Sequence, residues 1–208
     1  MKSRYVLGYY VRILTENSDR ISIGELSQRI KNCIPSSEIC IEAGEEEKWG
    51  QVALRLVDGM EVAVVERDAV EPDSLGAEEI QEFVEFSMEL KPANAAKWLR
   101  GFLPRVKVIY AFQLLNGAHT EDGRRILDRV LGELWTKLGG VIQADNEGFT
   151  NLDGHQILWD FSDNAHGKWR MAVLNENDEW TPFEMELSDR AQRAEFLEGR
   201  IPIGAKLI

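Results

Sequence analysis

The chain has 208 residues, of which 44% are hydrophobic and 29% are charged, a composition typical of a folded globular protein and unlike that of a disordered one. No apolar stretch is long enough to span a membrane, and the N-terminal segment around Arg12 predicts a strand rather than a signal peptide. The net charge of −12 disfavours nucleic acid and anionic membranes as partners and favours a basic protein.

The acidic residues are concentrated in one quarter of the chain. Residues 42–89 hold 15 of the 36 acidic residues and only three basic residues, which is a local balance of −12. The remaining 160 residues carry 21 acidic and 21 basic residues and are therefore neutral overall. The whole imbalance of the protein comes from this acidic quarter.

The motifs of several enzyme classes are absent from the sequence. There is no glycine-rich phosphate loop, nucleophile elbow, paired-histidine zinc helix or dinucleotide fingerprint, and the glycines near 148 and 154 do not fit the spacing of a calcium loop. Cys33 and Cys40 lie seven residues apart, which matches neither a redox pair nor a zinc site. We therefore expect no metal or cofactor, and free, buried thiols in a reducing cytoplasm.

The first 115 residues predict the order β-α-β-β-α-β of a ferredoxin-like split βαβ unit. Ser22 and Glu25 have the form of a capping box at a helix start, Pro35 ends that helix, and Asp58-Gly59 between two β-prone runs is a strong hairpin signal. The second helix of this order is predicted as two helical segments, because Pro92 begins a new segment. The predicted elements are a strand over Tyr5–Leu14, a helix over 23–34, strands over 51–57 and 60–66, helical segments over 74–90 and 92–103, and a strand over 106–115.

The second part of the chain predicts a helix-strand unit and an antiparallel C-terminal hairpin. Thr120 is a suitable N-cap for a long amphipathic helix that Gly139 ends. Strands over 141–144 and 156–161 follow, then a hairpin of 169–174 with 180–187 and a last helix capped by Ser188. The fold class is therefore α+β, as a single domain over 1–208 that is at most weakly subdivided into 1–115 and 116–208.

The helix over 74–90 carries the first candidate site. At about 100° per residue, four glutamates fall in one narrow stripe without an intervening lysine. A helix that serves only folding usually mixes both signs, so the stripe suggests a partner; a solvated face that keeps the protein soluble is the alternative. Trp49 follows an acidic loop and is a candidate interface anchor, with the core as its default place. The predicted partner-binding residues are Glu45, Glu46, Glu47, Trp49, Glu78, Glu82, Glu85 and Glu89.

A second candidate site lies in the loops over 116–119 and 145–155. If the strands over 106–115 and 141–144 are parallel neighbours, their C-terminal ends meet at one edge, where α/β sheets bind ligands. Carboxylates and imidazoles there would serve as a general base or metal ligands. The simpler interpretation is that the segments DNEG and NLDG are turns, since Asn, Asp and Gly are the usual turn residues. The residues of this enzymatic alternative are His119, Asp145, Glu147 and His155.

The segment LGGVIQADNEGFTNLDG, preceded by an amphipathic helix, resembles the strand-closing pattern of some small acidic bacterial proteins. Several of these proteins are uncharacterised, and some are of the toxin-neutralising immunity type. The resemblance covers about a quarter of the chain and carries over no functional residue. It implies a non-enzymatic interaction protein. Together with the acidic quarter, it favours a cytoplasmic protein that binds a basic protein partner, in its sharpest version an immunity or inhibitor protein. The alternative is a small-molecule-binding or metal-dependent enzyme.

Overall fold

A computed structural model describes residues 9–208. Within them the chain forms five α-helices and eleven strands that pair mostly antiparallel, which confirms the α+β class. The predicted strand over Tyr5–Leu14 lies partly outside the described residues. The helices are α1 (Ile23–Cys33), α2 (Leu75–Phe86), α3 (Ala93–Phe102), α4 (Glu121–Leu138) and α5 (Arg190–Leu197). The strands are β1 (Tyr10–Thr15), β2 (Ser37–Ala43), β3 (Gln51–Leu56), β4 (Glu61–Ala69), β5 (Val108–Leu114), β6 (Val141–Ala144), β7 (Gly148–Thr150), β8 (Gln156–Trp159), β9 (Lys168–Leu174), β10 (Trp180–Glu186) and β11 (Lys206–Leu207).

The chain folds into two compact units that are interleaved along the sequence. The first unit comprises Met1–Gly76 and Lys107–Gly140, and the second comprises Ala77–Val106 and Val141–Ile208. The chain therefore passes between the units three times, whereas the sequence suggested at most one division near residue 116.

In the first unit the strand order is β1-β5-β4-β3-β2, and each pair is antiparallel. The ferredoxin-like arrangement is not confirmed, because that fold places its first strand between its third and its last strand, whereas here β5 lies between β1 and β4 and the unit has a fifth strand. The strand β2 was not predicted, although Ile39, Ile41 and Ala43 alternate with Glu38, Cys40 and Glu42. Only Ser37 of its seven residues is buried, so this alternation does not mark a buried face.

The hairpin predicted at Asp58-Gly59 is confirmed. Gly59 has a φ of 86°, which a residue without a β-carbon adopts at little cost. The Leu56 amide donates to the Met60 carbonyl at 2.9 Å, and the Met60 amide donates to the Asp58 carboxylate at 3.0 Å. The turn thereby fixes the antiparallel pairing of β3 with β4.

The helix α4 has the predicted ends and is amphipathic, as predicted. Thr120 is its N-cap and accepts a hydrogen bond from the Gly123 amide at 3.0 Å, and Gly139 follows it with a φ of 66°. The capping box predicted at Ser22 is wrong, since no side chain caps α1; instead the Glu46 carbonyl accepts the Ile23 amide at 3.4 Å. The buried residues of α4 include Ile126, Leu127, Val130, Leu134 and Leu138.

In the second unit the strand order is β11-β10-β9-β8-β7-β6, and only the β8–β9 pair is parallel. The predicted hairpin of β9 with β10 is confirmed. The cap of α5 is Asp189 rather than Ser188, and its carboxylate accepts the amides of Ala191 and Gln192. Trp98 of α3 packs edge-on against Trp180 at 5.2 Å between ring centroids. A buried cluster completes the core of this unit: Met171, Val173, Phe183, Met185, Leu187 and Phe196.

Both cysteines are free, but they are not buried as the sequence suggested. Cys33 ends α1 at an exposed position, and Cys40 is half-buried on β2. None of the helices in residues 9–208 combines the length and the apolar character that a membrane crossing requires.

Candidate functional site

The predicted acidic stripe is exposed along α2 and the turn that follows it. The side chains of Glu78, Glu82, Glu85 and Glu89 are all exposed. Glu89 lies beyond the helix, because α2 ends at Phe86 and not near Leu90 as predicted. The last turn of α2 contains no basic residue, so nothing in that turn offsets the negative charge.

Two apolar side chains are exposed beside these glutamates. Phe86 is 37% exposed and Met88 is 65% exposed. Aromatic residues and methionine are enriched at protein interfaces, where they supply the desolvated contacts that charged residues do not. The surface therefore combines negative charge with apolar area, which a purely solvated face does not require. We call Glu78, Glu82, Glu85, Phe86, Met88 and Glu89 the acidic face.

The helix α2 borders an open cavity of about 400 Å³ in the second unit. Its lining contains three carboxylates, two amide side chains and two aromatic rings, and no basic residue is among these described lining residues. The residues of this acidic cavity are Glu82, Phe83, Phe86, Gln143, Asp145, Asn146 and Asp160.

The walls of the acidic cavity are held by the secondary structure around it. Phe83 is 9% exposed and meets Phe149 of β7 edge to face, with 5.7 Å between ring centroids. Asp145 and Asn146 form the tight turn between β6 and β7, in which the Glu147 amide donates to the Ala144 carbonyl at 3.1 Å and Asn146 takes a φ of 58°. Asparagine is among the residues that tolerate this left-handed conformation.

Asp160 reaches the same cavity because β8 pairs with β7. Gly148 lies opposite Trp159 in that pair, and the Asp160 amide donates to the Glu147 carbonyl at 3.1 Å. At Gly148, where φ is 103°, an added β-carbon would collide with the Leu158 carbonyl, so the two strands approach closely only because this residue is glycine. The turn after β6 and the residue after β8 are thus brought together.

The surroundings of Asp160 disfavour its ionised form. Burial, followed by the charge of Asp145, raises the pKa of Asp160, and a hydrogen bond from the Asn146 backbone lowers it by a smaller amount. Both carboxylates are half-buried. Burial and a neighbouring like charge both disfavour the ionisation of a carboxyl group.

The structure corrects the role predicted for Trp49. This side chain is only 1% exposed, and its indole N–H donates to the Ile21 carbonyl at 2.7 Å. Its ring also packs against Tyr110 at 5.8 Å between centroids. The suggestion that Trp49 is an exposed anchor is therefore wrong, and the residue belongs to the core of the first unit.

The neighbouring glutamates Glu45, Glu46 and Glu47 are exposed, as predicted. The Glu46 carboxylate nevertheless lies where it would meet a β-carbon placed on Gly24, in the first turn of α1. A carboxylate beside the first turn of a helix is stabilised by the helix dipole. Glu46 is therefore exposed and also lies beside the start of α1, whereas Glu45 and Glu47 are exposed without this neighbour on Gly24.

The residues of the enzymatic alternative were expected to meet because the strands before them would be parallel neighbours, and this pairing is not observed. The strand β5 pairs with β1 and β4, and β6 pairs with β7, all antiparallel, so the expected parallel neighbours are absent among these strands. His119 belongs to the first unit, while Asp145, Glu147 and His155 belong to the second. Of these four residues, only Asp145 lines the acidic cavity.

The turn interpretation of DNEG and NLDG agrees with their hydrogen bonds. In the second segment, the Asn151 carboxamide oxygen accepts the amides of Asp153 at 3.1 Å and His155 at 2.9 Å. Burial is the main cause that lowers the pKa of His155, so its surroundings favour the neutral imidazole. Among residues 9–208, no three His, Cys, Asp or Glu side chains are grouped so that they could hold a metal ion.

Asp160, Gln143 and the two phenylalanines were not identified as site residues from the sequence. Asp160 follows a short strand, and nothing near it in the sequence marks it as functional. Its proximity to Asp145 depends on the pairing of β7 with β8, and β7 has only three residues. Comparison with protein-family models, with curated proteins and with solved structures gave no match.

Proposed function

We propose that this protein binds a basic protein through the acidic face, without catalysing a reaction. The observation that carries the proposal is the exposure of four glutamates together with Phe86 and Met88 on one helix and its following turn. Carboxylates steer a basic partner toward the surface and speed its association. The two apolar side chains supply area whose burial stabilises the complex.

The immunity or inhibitor role is the most specific form of this proposal. An inhibitor of this kind covers the cationic site of its partner, and the negative charge of the acidic face is of the required sign. The support is the charge distribution of the chain and the resemblance of residues 138–154 to proteins of that type. In this role the protein acts by occlusion, so it needs no cofactor or metal.

The test compares two charge reversals that give the same net charge. Glu78→Lys with Glu89→Lys changes the acidic face but leaves the lining of the acidic cavity intact. Glu38→Lys with Glu176→Lys changes two exposed residues outside the acidic face. Tagged proteins are used for capture from a lysate of the source cells, and captured proteins are identified by mass spectrometry.

We expect the unchanged protein and the Glu38/Glu176 variant to retain one protein of high isoelectric point, and the Glu78/Glu89 variant to lose it. Because exposed charges are screened by salt, the affinity for that purified partner should fall as NaCl rises. Equal capture by both variants, or an affinity that does not depend on salt, would contradict the proposal.

A further inference from the structure

A second cavity, of about 350 Å³, lies between α1 and α4 in the first unit. Its volume is within the range of small-molecule binding sites, which is about 300–1,000 Å³. Two aliphatic residues, Ile21 and Leu26, supply its apolar part and are 4% and 2% exposed. The other lining residues are polar or charged: Glu25, Arg29, Glu133, Thr136 and Lys137. We call this space the interhelix cavity.

Two ion pairs join the helices across the interhelix cavity. Lys137 Nζ lies 3.4 Å from Glu25 Oε2, and Arg29 Nη1 lies 3.0 Å from Glu133 Oε2. Each glutamate also has a base four residues later on its own helix, which is the favourable order for a pair along a helix. Exposed ion pairs contribute little to stability. The pairs can therefore exchange partners and uncover the cavity without leaving a charge unpaired.

The charges at the interhelix cavity are unbalanced in favour of cations. Glu133 is shared by two guanidinium groups, because its Oε1 also lies 2.7 Å from Arg129 Nη2. Three basic side chains therefore share two carboxylates, an excess opposite in sign to the net charge of −12. Within residues 9–208, Arg29 makes one hydrogen bond, to Glu133, whereas a guanidinium group has five N–H donors. The remaining donors of Arg29 are suited to an anion.

We infer that the interhelix cavity binds a small monocarboxylate with an apolar chain, independently of the proposed basic partner. The carboxylate pairs with Arg29, because the planar fork of guanidinium donors fits two carboxylate oxygens. The chain packs on Ile21 and Leu26 and leaves water, which is favourable in proportion to the apolar area that is buried. A cationic ligand would meet the excess positive charge, and a neutral one would leave the donors of Arg29 unused.

Five small molecules serve as probes for the full chain: hexanoate, phenylacetate, hexan-1-ol, hexylamine and acetate. Binding is followed by NMR titration of backbone amides, and we expect hexanoate to shift those of residues 21–29 and 133–137 until they saturate. Hexan-1-ol lacks the charge, hexylamine reverses it and acetate lacks the chain. The affinity of each should be lower by about tenfold or more, since both the charge-assisted hydrogen bonds and the apolar contact are needed. Comparison of hexanoate with phenylacetate distinguishes an aliphatic from an aromatic acid.

Two variants with the same change of charge test the role of Arg29. Arg29→Gln removes the guanidinium from a side chain that is 62% exposed, so the fold should persist while the affinity for hexanoate falls by about tenfold or more. Its affinity for hexan-1-ol should not change, because the apolar part of the cavity is intact. The control Arg125→Gln removes a 57% exposed guanidinium that pairs with Asp122 outside the lining, and it should bind hexanoate as the unchanged protein does. Arg29→Lys keeps the charge without the fork and should have an intermediate affinity.

The inference is overturned if neither acid binds, if hexan-1-ol binds as well as hexanoate, or if the shifted amides lie elsewhere. Equal loss of hexanoate binding in Arg29→Gln and Arg125→Gln would also contradict it, because only Arg29 lines the cavity. The basic partner enters none of these measurements, so their outcome is distinct from that of the proposed function.

Discussion

The ionised carboxylate of Asp160 lies at a position where the folded chain disfavours negative charge. Asp160 is placed beside Asp145 by the β7–β8 pair, and its burial and this neighbour raise its pKa. The proton is therefore bound more tightly in the folded chain than in the unfolded chain. As the pH rises through the interval between the two pKa values, the folded state loses stability.

Asp160→Asn should therefore raise the melting temperature at pH 7. The amide keeps an oxygen that accepts the Asn146 N–H, and it removes the charge that burial disfavours. The gain should vanish at a pH below the ordinary range for aspartate, where both states of the unchanged protein are protonated. Thermal melts between pH 3 and pH 7 measure this difference, and an equal effect across that range would contradict the assignment.

Trp49 follows an acidic loop in the sequence but is buried in the core of the first unit, where it stabilises the fold. Trp49→Phe removes the N–H that satisfies the Ile21 carbonyl. Leaving a buried acceptor unsatisfied costs about 1–3 kcal/mol, so we expect a loss of unfolding free energy of that order in urea denaturation. The control Trp180→Phe keeps an aromatic ring against Trp98 and should cost less.

At the scale of single elements, the cap of α4 links the sequence directly to stability. Thr120 accepts from the Gly123 amide at 3.0 Å and its hydroxyl donates to the Gly117 carbonyl at 2.7 Å. Thr120→Ala loses both bonds, and the loss of an N-cap costs about 0.5–2 kcal/mol. Thr120→Ser should recover most of this difference. Urea denaturation followed by circular dichroism provides the comparison.

Elements with strong local signals could be predicted from the sequence. The Asp58-Gly59 hairpin, α4 with Thr120 and Gly139, and the β9–β10 hairpin all carry caps, turn residues or clear periodicity. The strand β7 has only three residues and is too short to show a periodicity, and the alternation in the exposed strand β2 was not recognised as a strand. Without these two strands the order of strands could not be deduced. Strand order depends on contacts between distant residues, which periodicity does not encode.

The candidate site was predictable only in part, for the same reason. The spacing of Glu78, Glu82 and Glu85 places them on one side of a helix, and their exposure follows from that spacing. The acidic cavity joins α2 with the turn after β6 and the end of β8. Residues that come from three separate segments form no recognisable pattern in the sequence. Glu82 was identified only as part of the glutamate stripe, and Asp145 only as a residue of the enzymatic alternative.

For the whole molecule, the net charge of −12 lowers the stability of the folded state through repulsion between acidic residues. In the proposed function, the same charge attracts a basic partner. Like charges three and four residues apart weaken a helix by a few tenths of a kcal/mol per pair, and Glu82 forms such a pair with Glu78 and another with Glu85 on α2. The repulsion is long-ranged at low salt, where the Debye length is about 30 Å at 0.01 M, and shorter at about 8 Å at 0.15 M. Screening should therefore stabilise the free protein.

We expect the melting temperature of the free protein to rise as NaCl increases over that range. The triple variant Glu78→Gln, Glu85→Gln, Glu89→Gln should begin at a higher melting temperature and respond less to salt, because it lacks much of the repulsion. A fall of the melting temperature with salt in the unchanged protein would mean that attractive ion pairs dominate.

Affinity for a basic partner should change in the opposite direction, since salt screens the attraction that forms the complex. Opposite salt responses of stability and affinity would therefore identify the same charges as unfavourable in the free protein and favourable in the complex.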